Sequence, residues 1–314
     1  MRLGAMITDY IAYRKALGER FHTNAKILNS FARAIDGGTE LAEIKPNQVN
    51  NFLNGTGPIT ASWHVRYNAL LGFYRYALSR GLVMTSPLPA VRPRRPQPFV
   101  PYIYTHEELR RLMAAALTYQ KNRGLLEPYM VQTLLLLLYG TGLRPSEALR
   151  LSLADVDLAE ALITIRDSKF FTSRLVPTGA SLNQNLLRYA AHRHQAGYPQ
   201  NDTSPFFVKR NGQRISISNI DKAFQRIRQE ARVSRVDGAR YQPRLHDLRH
   251  TYAVHRLTSW YQEGKDVQRL LPQLSTYLGH RYLAATSVYL TMTPELLNQA
   301  SQRFEIYALK GGLP

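Results

Sequence analysis

The sequence predicts a mainly α chain with one small antiparallel β-sheet, an α+β protein in two parts. Three observations lead there. Apolar residues recur at helical spacing through the first 84 residues, a proline-rich stretch follows over 85–104, and the remainder, 105–314, carries further helical stripes around a single hairpin pattern.

Taken in order, Leu3, Met6, Ile7, Tyr10 and Ile11 fall at i, i+3, i+4, i+7 and i+8, one face of a helix that Gly18 closes. Ile27, Leu28, Phe31, Ala34 and Ile35 repeat the stripe until Gly37 and Gly38 end it. A short third helix starts near Pro46 and stops at Gly55. The fourth runs from about Thr60 to Ser79, with Leu70, Phe73, Tyr74, Ala77 and Leu78 turned inward. His64, Arg66, Arg75 and Arg80 are left for solvent or phosphate. The six prolines at 87, 89, 93, 96, 98 and 101 favour a semi-rigid linker, and Arg92, Arg94 and Arg95 among them suit a basic strap over DNA.

In the second part, Thr105 and Glu108 have capping-box spacing at the start of a helix. A buried helix follows through Leu134 to Tyr139, and the glycine turn after it delivers Arg144 to a helix start with Glu147 one turn on. Leu162 to Ile165 and Arg174 to Val176 read as a hairpin with Lys169 in its connection. Helices are expected over 182–195 and 217–232, separated by a "PFFV" strand and a turn at Asn211 and Gly212. Another helix carries His246, Arg249 and His250 in its first turns, where the i, i+3 spacing puts His246 and Arg249 on one face. In "LGHRYLAATSVY" a turn at Gly279 leads to His280, a short helical segment and Tyr289. Beyond it, Pro294 starts a helix with Leu296, Leu297, Ala300 and Phe304 on one face.

Composition narrows the function classes. Lys plus Arg number 41 against 22 Asp plus Glu, a formal charge of +19 over 314 residues, and the partner such a surface favours is a polyanion that releases counterions. The longest purely apolar run, 134–139, is far short of the ~20 residues of a membrane span. The N-terminal residues lack the apolar core of a secretory signal. With no cysteine there is no thiolate zinc site, and the chain suits a reducing cytosol. His192 and His194 read as exposed helix histidines rather than metal ligands.

Arg144, Lys169, His246 with Arg249, His280 and Tyr289 form an ordered set. Carried by "GTGLRPSE", "SKFFTSRLVP", "HDLRHTYA" and "LSTYLGHRYLAATSVYL", the second part resembles the tyrosine site-specific recombinases, the phage integrase family. The helical first part looks like that family's core-binding domain, which implies a C-shaped clamp on double-stranded DNA. The resemblance implies Tyr289 as nucleophile, forming a 3′-phosphotyrosyl bond and releasing a 5′-hydroxyl. Arg144 and Arg249 would clamp the non-bridging oxygens, Lys169 protonate the leaving oxygen, His280 donate to the phosphate, and His246 orient or deprotonate the tyrosine. Glu147 and His250 would stand behind them. It implies no cofactor and no metal, inverted-repeat core sites, a homotetramer with a Holliday-junction intermediate, an accessory bending or directionality protein, and a place in the cytoplasm on the nucleoid. The "LSTYLGH" and "YLTMTPELL" wording looks more like mobile-element integrases and transposases than dimer-resolving Xer recombinases. A type IB topoisomerase shares the chemistry. A non-enzymatic DNA-binding relative and a metal nuclease are further alternatives.

The chemistry stands on its own terms as well. Guanidiniums are planar and permanently charged, and match the oxygens of a phosphodiester on which charge builds in the transition state. A free tyrosine titrates near 10, so attack near neutrality needs nearby cations and a base. The hairpin connection "KFFTSR" is more apolar than the family's glycine-rich, basic one, which sets Lys169 apart from the other assignments.

Overall fold

A computed structural model describes residues 1–96, 99–120, 124–166, 173–239, 241–280, 282–291, 297–298, 300–302 and 305. The chain divides into two compact units, Met1–Phe99 and Val100–Pro314. Lys169 lies outside the described residues, as do Pro294, Leu296 and Phe304 of the expected C-terminal helix.

The first unit is four helices: α1 (Leu3–Ala16), α2 (His22–Ile35), α3 (Pro46–Asn54) and α4 (Ala61–Ser79). Their apolar stripes meet in one core that buries Leu3, Ile7, Tyr10, Phe31, Leu70 and Phe73. Thr60 accepts from the Ser62 amide and caps α4, as its position before the stripe suggests. Leu78 corrects the predicted inward face, because it is 37% exposed while Ala77 beside it is fully buried. The helix ends at Ser79, so its last turn has little left to pack against.

Two members of the basic set on α4 are half-buried in the unit. Arg66 donates to the carbonyls of Phe52 and Leu53 at 3.1 and 3.4 Å, covering the open C-terminal end of α3. The Nε2 of His64 is buried. Arg75 is exposed, and Arg80 is exposed with its guanidinium over the Tyr76 ring. The start of the proline stretch docks on this same unit. Leu88 packs against its core, Tyr67 donates to the Pro89 carbonyl at 3.3 Å, and Arg92 stacks over the Tyr67 ring at 4.4 Å. Arg94 and Arg95 are exposed.

The second unit is organised around α6 (Pro128–Thr141), whose Leu134, Leu135, Leu137 and Leu138 are all buried. An all-round apolar helix needs partners on every side. They are α5 (His106–Thr118), α8 (Ala180–Gln195) and α10 (Asp247–Gln262), while α9 (Ile217–Glu230) packs on α5. Thr105 and Glu108 complete their capping box on α5 reciprocally, at 3.1 and 2.9 Å. After α6 come the single turn α7 (Pro145–Ala148) and a three-stranded antiparallel sheet, β1 (Val156–Asp157), β2 (Leu162–Ile165) and β3 (Arg174–Pro177). Ile163 pairs with Val176, and both sink into the core with Ile165. The expected "PFFV" strand does not form. Pro205 and Val208 make only isolated bridges, because Phe206 and Phe207 turn both rings onto Tyr189 at 5.5 and 5.3 Å instead of alternating across a sheet. The chain then continues through α11 (Val267–Leu278), α12 (Ala284–Ser287) and a 3₁₀ turn, Val288–Thr291.

Gly142, the C-cap of α6, sits at φ 63°, and a Cβ there would lie 2.5 Å from Tyr252 and 2.8 Å from Leu278. Left-handed backbone and crowding act together, so Gly142→Ala should destabilise the chain by about 2 kcal/mol or more. A urea midpoint lowered at unchanged slope checks this, and an unchanged midpoint would show that the turn tolerates a side chain.

Candidate active site

The C-terminal end of α11 is where the site is built. A helix leaves its last carbonyls without intrahelical donors, and its dipole makes that end attractive to cations. Three guanidiniums from three other elements converge on it. Arg174 donates from Nε to the Tyr277 carbonyl at 2.8 Å, Arg249 from Nη2 to Leu278 at 2.7 Å, and Arg144 from Nη2 to Gly279 at 3.1 Å. Arg249 also donates to the Gly142 carbonyl at 2.7 Å, so the two glycine turns fix two of the arginines.

One carboxylate serves this cluster. Glu147, with its side chain 1% exposed, accepts from Arg144 Nη1 at 2.8 Å and from Arg174 Nη2 and Nη1 at 2.8 and 3.3 Å. Oε2, which takes Arg174 Nη2, also accepts from the Arg144 amide at 3.1 Å. Burial pushes its pKa up, but the bonds and charges of Arg174 and Arg144 outweigh that and hold it at about 2. Arg249 is 2% exposed, and burial followed by the charge of Arg144 draws it down to about 10, still protonated near neutrality.

Against this cationic floor lies Tyr289, 3% exposed on the 3₁₀ turn, which packs on α10. Its hydroxyl meets His250 Nδ1 at 3.1 Å, and its ring stacks on His280 with centroids 6.1 Å apart. Burial raises the phenol's pKa while Arg249 and Arg144 pull it back, and burial wins. The tyrosine therefore rests protonated. His280 Nδ1 is held by Thr286 Oγ1 at 2.7 Å, which leaves Nε2 to address a ligand. His246 stands one turn before His250, edge-on to it at 5.1 Å.

The three imidazoles share one electrostatic state. Burial, then His250 and Arg249, hold His246 at about 4; burial, then Arg249 and Arg244, hold His250 at about 4; and burial, then Arg249 and Arg144, hold His280 at about 3. All three are neutral near pH 7. Beside them a cleft of about 700 Å³ opens, lined by Arg144, His246, Phe224, Tyr241 and Arg244.

Arg144, Glu147, His246, Arg249, His250, His280 and Tyr289, named from sequence, thus come together, while Lys169 falls outside the described residues. His250 makes the tyrosine contact for which His246 was named. Arg174, which the sequence places at a strand start five positions after Lys169, adds a third guanidinium that no site role was given. Thr286, buried and orienting His280, gave no sequence signal. His192 pairs with Glu127 at 3.0 Å and His194 is exposed; among the described residues no group of His, Cys, Asp or Glu gathers to hold a metal. Nor, among those residues, is any helix long and apolar enough to cross a membrane.

Known proteins share this arrangement of elements. Residues 103–295 match the phage integrase family. The integrase/recombinase y4rB of Sinorhizobium fredii is 34% identical over 95% of this chain and 96% of its own. The tyrosine recombinase XerC of Thermodesulfovibrio yellowstonii is 28% identical over 90% of each. Among solved structures, the Tn1549 transposon integrase with transposon right end DNA superposes with a TM-score of 0.68 over 98% of this chain and all of that one, at 15% identity. A λ integrase dimer on a core site gives 0.64 over 90% and 96%, at 18% identity.

Lowering pH should unfold the chain in two stages. A histidine held neutral takes up protons more readily when unfolded, so stability is full above about 6.5 and falls as pH drops toward about 4. Glu147 has a depressed pKa, so its contribution is present above about 4.5 and lost as pH falls through about 2. Tm measured from pH 7.5 to 4 should decline, and more gently in His246→Gln; a flat profile would mean that these rings are charged in the folded state.

Proposed function

We propose a function from an established premise: the chain belongs to the phage integrase family, and is a tyrosine recombinase. In our reading it cuts and rejoins double-stranded DNA at inverted-repeat core sites for a mobile element, in integration or excision. Tyr289 attacks the phosphorus, a 3′-phosphotyrosyl bond forms and the 5′-oxygen leaves; the 5′-hydroxyl of a second strand then reverses the step, giving a Holliday junction. A homotetramer on DNA holds the four strands, with an accessory bending or directionality protein where the element uses one.

One observation carries this reading: a protonated tyrosine stands over guanidiniums that outnumber their carboxylate. A phosphodiester entering from the cleft supplies the missing negative charge, and Arg144, whose side chain keeps 20% of its surface open, reaches a non-bridging oxygen together with Arg249. These cations are fixed before the substrate arrives, so they stabilise developing charge without reorganising. His280 Nε2 donates a third hydrogen bond once protonated or in the suitable tautomer. The leaving oxygen needs a proton, the role that falls to Lys169. The first unit, with Arg75, Arg80, Arg94 and Arg95 exposed, is the second DNA-binding part. A role in resolving chromosome dimers is the second reading, favoured by the XerC relative.

Nicked duplexes drawn from the DNA flanking the chain's own gene test the proposal. The wild-type chain should form an SDS-resistant adduct mapped to Tyr289, and Tyr289→Phe should bind the same duplex and form none; an adduct retained in that variant would sink the assignment. Arg144→Ala should slow adduct formation two to three decades, about 3–4 kcal/mol of transition-state stabilisation, with folding checked by its Tm.

A further inference from the structure

We propose that His250 accepts the phenolic proton of Tyr289 during attack, a catalytic part that the family resemblance does not give it. The inference rests on the strand-transfer reading above. Its ground is position: His250 Nδ1 lies 3.1 Å from the tyrosine hydroxyl, the reacting atom itself. The ring is fixed on both sides, edge-on to His246 at 5.1 Å and tilted against the Tyr289 ring at 5.6 Å. Its backbone follows Arg249, which two backbone carbonyls hold in place.

A base must be neutral before it can accept. The groups facing His250 are Arg244, His246 and Arg249 from α10 and its entry, and Tyr289 and His280 from the chain after α11. Burial and the two arginines keep the ring unprotonated at neutral pH, so with the proton on Nε2 the phenol donates to Nδ1. The same arginines make it a weak base in the empty site. A phosphodiester paired with Arg249 offsets part of that positive charge, so the imidazole's proton affinity rises when substrate is present. The acceptor is therefore strengthened by the molecule on which it works.

The step balances. The Tyr289 O–H proton moves to His250 Nδ1 as the Oη–P bond forms, and the P–O5′ bond breaks as its oxygen takes one proton from an ammonium acid or water. Religation runs the same transfers backwards, with the imidazolium returning its proton to the departing phenolate.

Three chains decide it on the nicked duplexes: wild type, His250→Phe and His250→Asn. His250→Asn can hold the tyrosine's hydrogen bond but takes no proton, and it also serves where the phenylalanine chain folds poorly. Both should bind the duplex as wild type does and form adduct about 100-fold more slowly at pH 7. The deficit should narrow as pH rises, because the phenolate fraction of Tyr289, held small by burial, grows with pH without the help of a base. Wild-type rates in His250→Asn at pH 7, or a deficit constant across pH, would overturn the assignment, the latter showing a positioning role only. In the DNA-free chain, ¹⁵N imidazole shifts should show His250 protonated on Nε2, with Nδ1 shifted in Tyr289→Phe; a proton on Nδ1 overturns it independently. Should the wild-type chain form no adduct on any flank, the strand-transfer reading fails, and the tautomer still reports separately on the contact.

Discussion

The site in the second unit depends on one arrangement, the capping of α11 by three arginines, two of which pair with Glu147. Each guanidinium satisfies a carbonyl that the helix leaves open, so the cations are structural before they are chemical. The charges do not cancel. Three cations against one carboxylate leave a surplus in a buried site, where burial, followed by the charge of Arg144, draws Arg249's pKa down to about 10. Backbone carbonyls and the helix dipole carry part of that surplus.

Tyr289 answers to the same field. Arg249 and Arg144 favour the phenolate, yet burial prevails and Tyr289 stays protonated until something removes its proton. Under the proposed function, a bound phosphate would weaken the arginines' hold on the phenolate, because the same charges would then serve the phosphate. Lowering the tyrosine's pKa further is thus not available to this design. The imidazole bonded to the hydroxyl is that of His250, and it is neutral near pH 7.

Much of this was legible because it is local. Gly142 before Arg144, the i, i+3 pair of His246 and Arg249, and Gly279 before His280 are short-range patterns, and each sets a turn or a helix face by backbone rules alone. What escaped is tertiary. Arg66 has the spacing of a solvent-facing arginine, and only the placement of α3 reveals that it reaches back to that helix's carbonyls. Arg174 pairs with an acid 27 positions away, and Glu147 already had a nearer partner in Arg144; that a carboxylate's second oxygen would recruit β3 is a fact of packing. His246 and His250 are one turn apart on the same face, so periodicity admits either as the tyrosine's neighbour, and only the path of the 3₁₀ turn chooses His250.

That dependence on packing has a consequence for specificity. Arg144 follows α6, Arg174 opens β3, Arg249 lies on α10 and Tyr289 follows α12, so the site exists only where four distant segments meet. The glycine turns make the meeting steep. Gly142 admits no side chain between Tyr252 and Leu278, and a Cβ at Gly279 would lie 2.7 Å from Arg174, so small displacements of α11 break carbonyl contacts to all three guanidiniums together. A partly folded chain therefore carries a tyrosine without its cations. In a tyrosine recombinase, tying Tyr289 and the guanidiniums beside it to one helix end confines the whole constellation to the fully assembled unit.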